Sequence, residues 1–137
     1  MNEKIIIRAE ISAPLSEVWI KYTDSSHITQ WNFASEDWHC PRASTDLRTG
    51  GKYFARMEAK DGSFGFDLNA IYQEVTHQSK IIMILEDKRE VVTEFREIRD
   101  KTEVETQFDA ENQNPVEMQK NGWQSILNQF KTYVEKQ

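Results

Sequence analysis

The sequence holds one cysteine, Cys40, among 137 residues. A single thiol cannot build an internal disulfide framework, and such a chain suits a reducing compartment. No apolar run approaches the roughly 18–20 residues that span a bilayer as a helix. The longest strong one is Ile81-Ile82-Met83-Ile84-Leu85. The opening MNEKIIIRAE carries charges through any apolar stretch, unlike a secretory signal. No Asn-x-Ser/Thr acceptor occurs. These absences lead to the expectation of a cytoplasmic protein with no membrane span. A basic excess is also missing: 17 Lys and Arg stand against 23 Asp and Glu, a net charge of −6. Binding through a phosphate backbone needs a basic face, so no nucleic-acid partner is expected.

The signatures of several chemistries are missing too. There is no GxSxG elbow, no Rossmann glycine fingerprint and no Walker loop. There is no CxxC or HxxxH pair. His27, Asp37, His39 and Cys40 are the available metal ligands, and adjacent His39-Cys40 is not a recurring zinc spacing. Cys40 beside His39 makes no nucleophile pair, because neighbours on an extended segment point to opposite sides. A semi-buried thiol acting as a small apolar residue fits better. No catalytic residue, metal or cofactor is assigned from the sequence.

What is present is an ordinary globular composition, 38% apolar and 29% charged. The length fits one domain, residues 1–137, with no repeat, linker or low-complexity segment. Ile5 to Ile11 is β-branched and reads as a strand, broken by Ser12-Ala13-Pro14. Leu15, Val18, Trp19 and Tyr22 then recur at helical spacing, and Ser25-Ser26 can cap a second short helix ending near Trp31. Residues 32–41 read as aromatic and irregular. The period then changes to two. Strands are expected at 43–48, 52–59, 64–76, 80–85, 91–98 and 103–108, with hairpin turns such as Lys60-Asp61-Gly62-Ser63. A helix over 116–135 aligns Trp123, Ile126, Leu127, Phe130, Tyr133 and Val134 on one face. Gly122, just before that stripe, predicts a close helix approach. Hairpin-linked strands with segregated helices mean an α+β fold: an antiparallel sheet of six to seven strands closed by the last helix.

The order of elements and their motifs resemble the helix-grip proteins of the START and polyketide-cyclase (SRPBCC) superfamily. The carrying residues are Ala13-Pro14 with Val18-Trp19, Thr29-Gln30-Trp31, and Asp46-Leu47-Arg48 with Gly50-Gly51-Lys52-Tyr53. They continue with Asp61-Gly62, Phe66, Tyr72 and Glu74, and then Gly122-Trp123 with Leu127 and Tyr133. Most closely, the chain resembles stand-alone bacterial homologues of the C-terminal domain of the heat-shock-protein-90 ATPase activator. The resemblance implies a sheet curved around a long C-terminal helix. It also implies ligand binding, polyketide cyclisation or a co-chaperone role. Where that family often carries glycine, this chain has Ala70 in mid-strand, and the added Cβ narrows any cavity there.

Parity along the strands brings Tyr53, Met57, Phe66, Leu68, Tyr72 and Phe95 to one face. Trp123, Leu127 and Phe130 oppose them from the helix. Mostly apolar walls with sparse polar points describe a ligand pocket, and equally a packed core. Trp31 and Trp38 are expected at the mouth of that cup or in a satellite core under the loop. Arg56, Glu58 and Asp67 can serve as acid–base groups or as cross-strand pairs on a solvated outer face. The eight acidic and five basic residues from Glu86 to Glu105 read as a solvated face. Phe54, outward between Lys52 and Arg56, would support a homodimer if it joins Ile71 or Val92. The leading expectation is a non-enzymatic carrier or sensor for a small hydrophobic or aromatic molecule, as monomer or homodimer. The alternatives are a chaperone-associated interaction domain and a cofactor-free cyclase or hydrolase.

Overall fold

The structure is a computed structural model that describes residues 3–136. The ends of the expected domain, residues 1–2 and 137, lie outside the described residues. The elements are β1 (Lys4–Ile11), α1 (Leu15–Thr23), α2 (Ser25–Trp31), β2 (Trp38–Thr45), β3 (Lys52–Ala59) and β4 (Gly65–Thr76). They continue with β5 (Lys80–Leu85), β6 (Glu90–Ile98), β7 (Lys101–Asp109) and α3 (Val116–Glu135). The seven strands form one sheet in the order β1-β7-β6-β5-β4-β3-β2, antiparallel throughout. The fold is the expected α+β helix grip. No helix among the described residues is long and apolar enough to cross a membrane.

Alternation decides which face of the sheet is inner. In β1, Ile5, Ile7, Ala9 and Ile11 are buried while their neighbours are exposed. In β3, Tyr53, Ala55, Met57 and Ala59 are buried and alternate with half-buried neighbours. Register then lines up inner rows across strands. Ile5, Phe108, Val91, Met83 and Tyr72 form one such row. Tyr53 pairs with Ala70, and Met57 with Phe66. A bulge in β4 between Tyr72 and Glu74 shifts the β5 register and bends the sheet.

The loop between β2 and β3 fixes Tyr72. The Gly50 N–H donates to the Tyr72 carbonyl at 2.7 Å, and the Tyr72 N–H donates to Gly51 O at 2.9 Å. Only glycine fits at Gly51, where a Cβ would lie 1.9 Å from Asp46 O.

Helix α3 lies across β1 and closes the inner face. Leu127, Phe130 and Val134 are buried, and Trp123 is half-buried with its indole stacked on Phe108 at 3.8 Å and 14°. Gln124 Nε2 donates to Arg8 O, and Lys131 Nζ to Glu10 O. Charged side chains of the outer face pair across strands, as Arg8 with Glu105 and Arg96 with Glu103.

Three local expectations are corrected. Asp24, not Ser25 or Ser26, caps α2: its Oδ1 accepts from Ser26 N at 2.9 Å and Ser26 Oγ at 2.7 Å. A carboxylate suits the positive end of the helix, and these hydrogen bonds hold its pKa below the usual value. β2 begins at Trp38 and ends at Thr45, so the "irregular" aromatic segment is partly strand. Pro41 and a register shift between His39 and Arg42 hide its period, and an edge strand tolerates both. Gly122 marks no close approach, since a Cβ there would meet nothing within 4 Å.

Candidate functional site

A cavity of about 360 Å³ lies between the inner face of the sheet and α3. β3 contributes Tyr53 and Met57, and β4 contributes Phe66, Leu68 and Tyr72. Trp31 of α2 and Trp123 and Leu127 of α3 complete the part of the wall legible in the sequence. Two expected wall residues, Phe95 and Phe130, lie elsewhere, as does Trp38, which was expected at the mouth or in a satellite core. Phe95 is buried against Trp19 and Tyr22, with ring centroids 5.1 and 5.3 Å away. Phe130 is fully buried and meets Trp31 at 4.7 Å. Both back the wall. Trp38 packs on Phe64 and Phe66 at 5.9 and 6.2 Å, outside the lining. Trp31 itself is 5% exposed, so it belongs to the wall and not to a mouth. Phe66, 43% exposed, is where the lining meets solvent most openly.

Other lining residues escaped the sequence reading. Ile81, Met83 and Leu85 of β5 point inward, but an unbroken apolar run carries no parity signal. Arg89 and Glu111, in turns, also border the cavity. Arg89 Nε donates to Asp87 Oδ2 at 2.7 Å and Nη1 to Asp109 O at 3.3 Å. Glu111 accepts from the Asn114 N–H at 2.7 Å and the Gln113 N–H at 3.1 Å. Partial burial opposes its charge, yet these bonds and the Arg89 guanidinium leave its carboxyl below the usual range.

The inner polar groups are few. Tyr22 Oη lies 3.4 Å from Thr93 Oγ1, which lies 3.3 Å from Thr106 Oγ1. Asn32 Nδ2 donates to Tyr53 Oη at 3.4 Å. Trp31 Nε1 donates to Lys21 O at 2.9 Å, which satisfies the buried indole N–H. Burial pushes the phenols of Tyr22, Tyr53 and Tyr72 above their ordinary pKa, and neighbouring phenols add to the effect on Tyr53 and Tyr72. All three remain protonated near neutrality.

The residues weighed for other chemistry are dispersed. Arg56, Glu58 and Asp67 pair with one another at 2.9 and 3.1 Å on the outer face. His39 Nε2 reaches Glu58 at 3.5 Å. His27 Nδ1 bonds Tyr133 Oη at 2.6 Å, joining α2 to α3. Cys40 is buried, and burial raises its pKa, the opposite of an activated thiol. Among the described residues, no group of three His, Cys, Asp or Glu side chains is placed to hold a metal ion. Phe54 and Ile71 border one open depression at the sheet, which Tyr53 and Tyr72 also line.

Comparison with known proteins agrees with this geometry. The family model described as activator of Hsp90 ATPase homolog 1-like protein matches residues 12–135. An AHSA1-like protein from Aeromonas hydrophila has 39% identity and a TM-score of 0.92, covering 98% of this chain and 93% of that one. A Cytophaga hutchinsonii protein has 39% identity and a TM-score of 0.84, covering 97% and 92%. At 21% identity, CalU16 from Micromonospora echinospora shares the fold, with a TM-score of 0.70 over 96% of this chain and 75% of that one. No curated protein gives a significant match. A sheet curled on a long closing helix and a family match over nearly the whole length place the chain among the activator of Hsp90 ATPase homolog 1-like proteins.

Proposed function

We propose that this protein binds a small, largely apolar molecule between sheet and closing helix, as a carrier or sensor. The supporting observation is the cavity itself. Its volume of about 360 Å³ sits at the small end of the roughly 300–1,000 Å³ typical of ligand pockets. Aromatic rings, two methionines and aliphatic side chains form most of its wall, and they offer contact area and adaptable shape. Micromolar affinity corresponds to about −8 kcal/mol, within reach of burying a small hydrophobe after association costs. The protein works as one domain in the cytoplasm, as a monomer or homodimer that light scattering distinguishes.

The test is a fluorescence titration with an environment-sensitive apolar dye, repeated on Leu68→Trp, which fills the cavity. Wild-type protein should bind at micromolar concentration and the variant at least about tenfold more weakly. The reading fails if neither the dye nor any member of an aromatic library binds, or if filling the cavity leaves binding unchanged. The family membership favours a second reading, association with an ATP-driven chaperone. A stable complex and a changed ATPase rate would support it. A cofactor-free cyclase or hydrolase is the third reading. It requires turnover that is lost on substituting one inward polar residue.

A further inference from the structure

The hydroxyls lining the cavity are unequally used, and from this we infer its ligand class. The cavity takes an uncharged molecule carrying a hydrogen-bond-accepting oxygen, of the ketone, quinone or ester kind, which Tyr72 and Tyr53 hold by their phenol O–H groups. This inference rests on the cavity being a ligand site.

Three phenols border the cavity. Tyr22 is engaged with Thr93, and Thr93 with Thr106. Tyr53 Oη accepts one long hydrogen bond from Asn32, and among the described residues nothing accepts its proton. Tyr72 is only 2% exposed, yet its Oη has no hydrogen bond among the described residues. Buried polar groups are normally paired. No sealed side-chain nitrogen or oxygen is left unpaired among the described residues. The Tyr72 hydroxyl is therefore reachable from open space, and its inward ring borders the cavity. Two protonated donors without acceptors call for lone pairs on the guest.

Charge narrows the class further. Arg89 is the one cation on the lining, and it already serves Asp87 and the Asp109 carbonyl beside Glu111. A carboxylate at Tyr72 would be desolvated without a free cation of its own, which is costly. A neutral carbonyl oxygen would be satisfied by the phenols. Met57, Phe66, Leu68 and Met83 would hold the apolar remainder. Tyr72 is also well suited to fix direction, because Gly50 and Gly51 clamp its backbone.

Three probes of similar shape test this: benzophenone, diphenylmethane and diphenylacetate. Wild-type protein should bind the ketone about fivefold more tightly than the hydrocarbon, despite the ketone's better hydration. The acid should bind most weakly. Tyr72→Phe should remove the preference for ketone over hydrocarbon. The infrared carbonyl stretch of bound benzophenone should fall in frequency in wild type and return towards its value in hydrocarbon solvent in Tyr72→Phe. That stretch in wild type decides the matter even if the variant does not fold. Equal binding of ketone and hydrocarbon, or an unshifted stretch, overturns the inference while leaving the cavity reading intact. Tightest binding of the acid overturns it in favour of recognition at Arg89. Failure of all three probes removes the cavity reading along with it.

Discussion

Two glycines with the same residue type have opposite meanings. At Gly51 a methyl group would collide with the backbone of Asp46, a neighbour that cannot swing aside. Gly51→Ala should cost about 2–3 kcal/mol in urea melts, the upper range for single substitutions. It should also weaken dye binding, because Gly51 accepts the Tyr72 N–H. At Gly122 a methyl group meets open space in the first half of α3. Gly122→Ala should therefore stabilise by about 0.5–1 kcal/mol, the helix-propensity gain alone. A destabilised Gly122→Ala variant would mean a different register for α3.

Asp109 shows how one residue secures the ends of three strands. It closes β7, pairs with Lys4 of β1, and accepts from the Glu90 N–H of β6 at 2.8 Å. Burial opposes its charge, but these partners hold the carboxyl below its ordinary pKa. A depressed folded-state pKa contributes stability that is present above the unfolded value and lost as pH falls through the folded one. Asp109→Asn should cost about 1–2 kcal/mol at pH 7. Wild type and variant should converge in stability as the pH drops below about 4. A gap that persists at pH 2 would contradict this account. In α3, Trp123 stacks on Phe108 while half-exposed. Trp123→Ala should cost about 2–3 kcal/mol, less than a fully buried indole, with a larger and wetter cavity.

Elements with one clear period were legible in the sequence. β1, β3 and β7 alternate cleanly, and α3 repeats its apolar stripe from Trp123 to Val134. The site was legible to the extent that parity was. Tyr53, Met57 and Tyr72 sit on strands where alternation points inward. β5 is apolar on both faces, so Met83 could not be told from Ile82. Pro41 and a register shift blurred β2, and a turn position gave no hint that Arg89 borders the cavity. Phe95 and Phe130 were placed on the correct face, but pattern does not resolve depth behind a wall. Both pack into the aromatic layer beneath Trp31 and Tyr22.

For the molecule as a whole, a guest in the cavity would tie the sheet to α3. Binding only to the folded form stabilises it by about 2.7 kcal/mol at a hundred times the Kd. For a chain of this length that corresponds to a rise on the order of 10 °C in Tm. Benzophenone or the dye at that ratio should produce it in wild type, and Leu68→Trp should abolish it. An unchanged midpoint in wild type at saturating dye would show that the dye sits on a surface that survives unfolding.

The pairing of β1 with β7 has a kinetic corollary. Lys4 finds Asp109, and Ile11 finds Thr102, across most of the chain. Every other strand pairs with the strand next to it in sequence. Loop-closure entropy places short-range hairpins early and this closure late. During synthesis, the first strand made must wait for the last strand and α3 before its apolar side is covered. A truncation such as Ile7→Ala should therefore accelerate unfolding while leaving the folding rate nearly unchanged. Until that closure, Ile5, Ile7 and Ile11 form an uncovered β-branched segment, so the nascent chain is most prone to aggregate in the interval before β7 and α3 emerge.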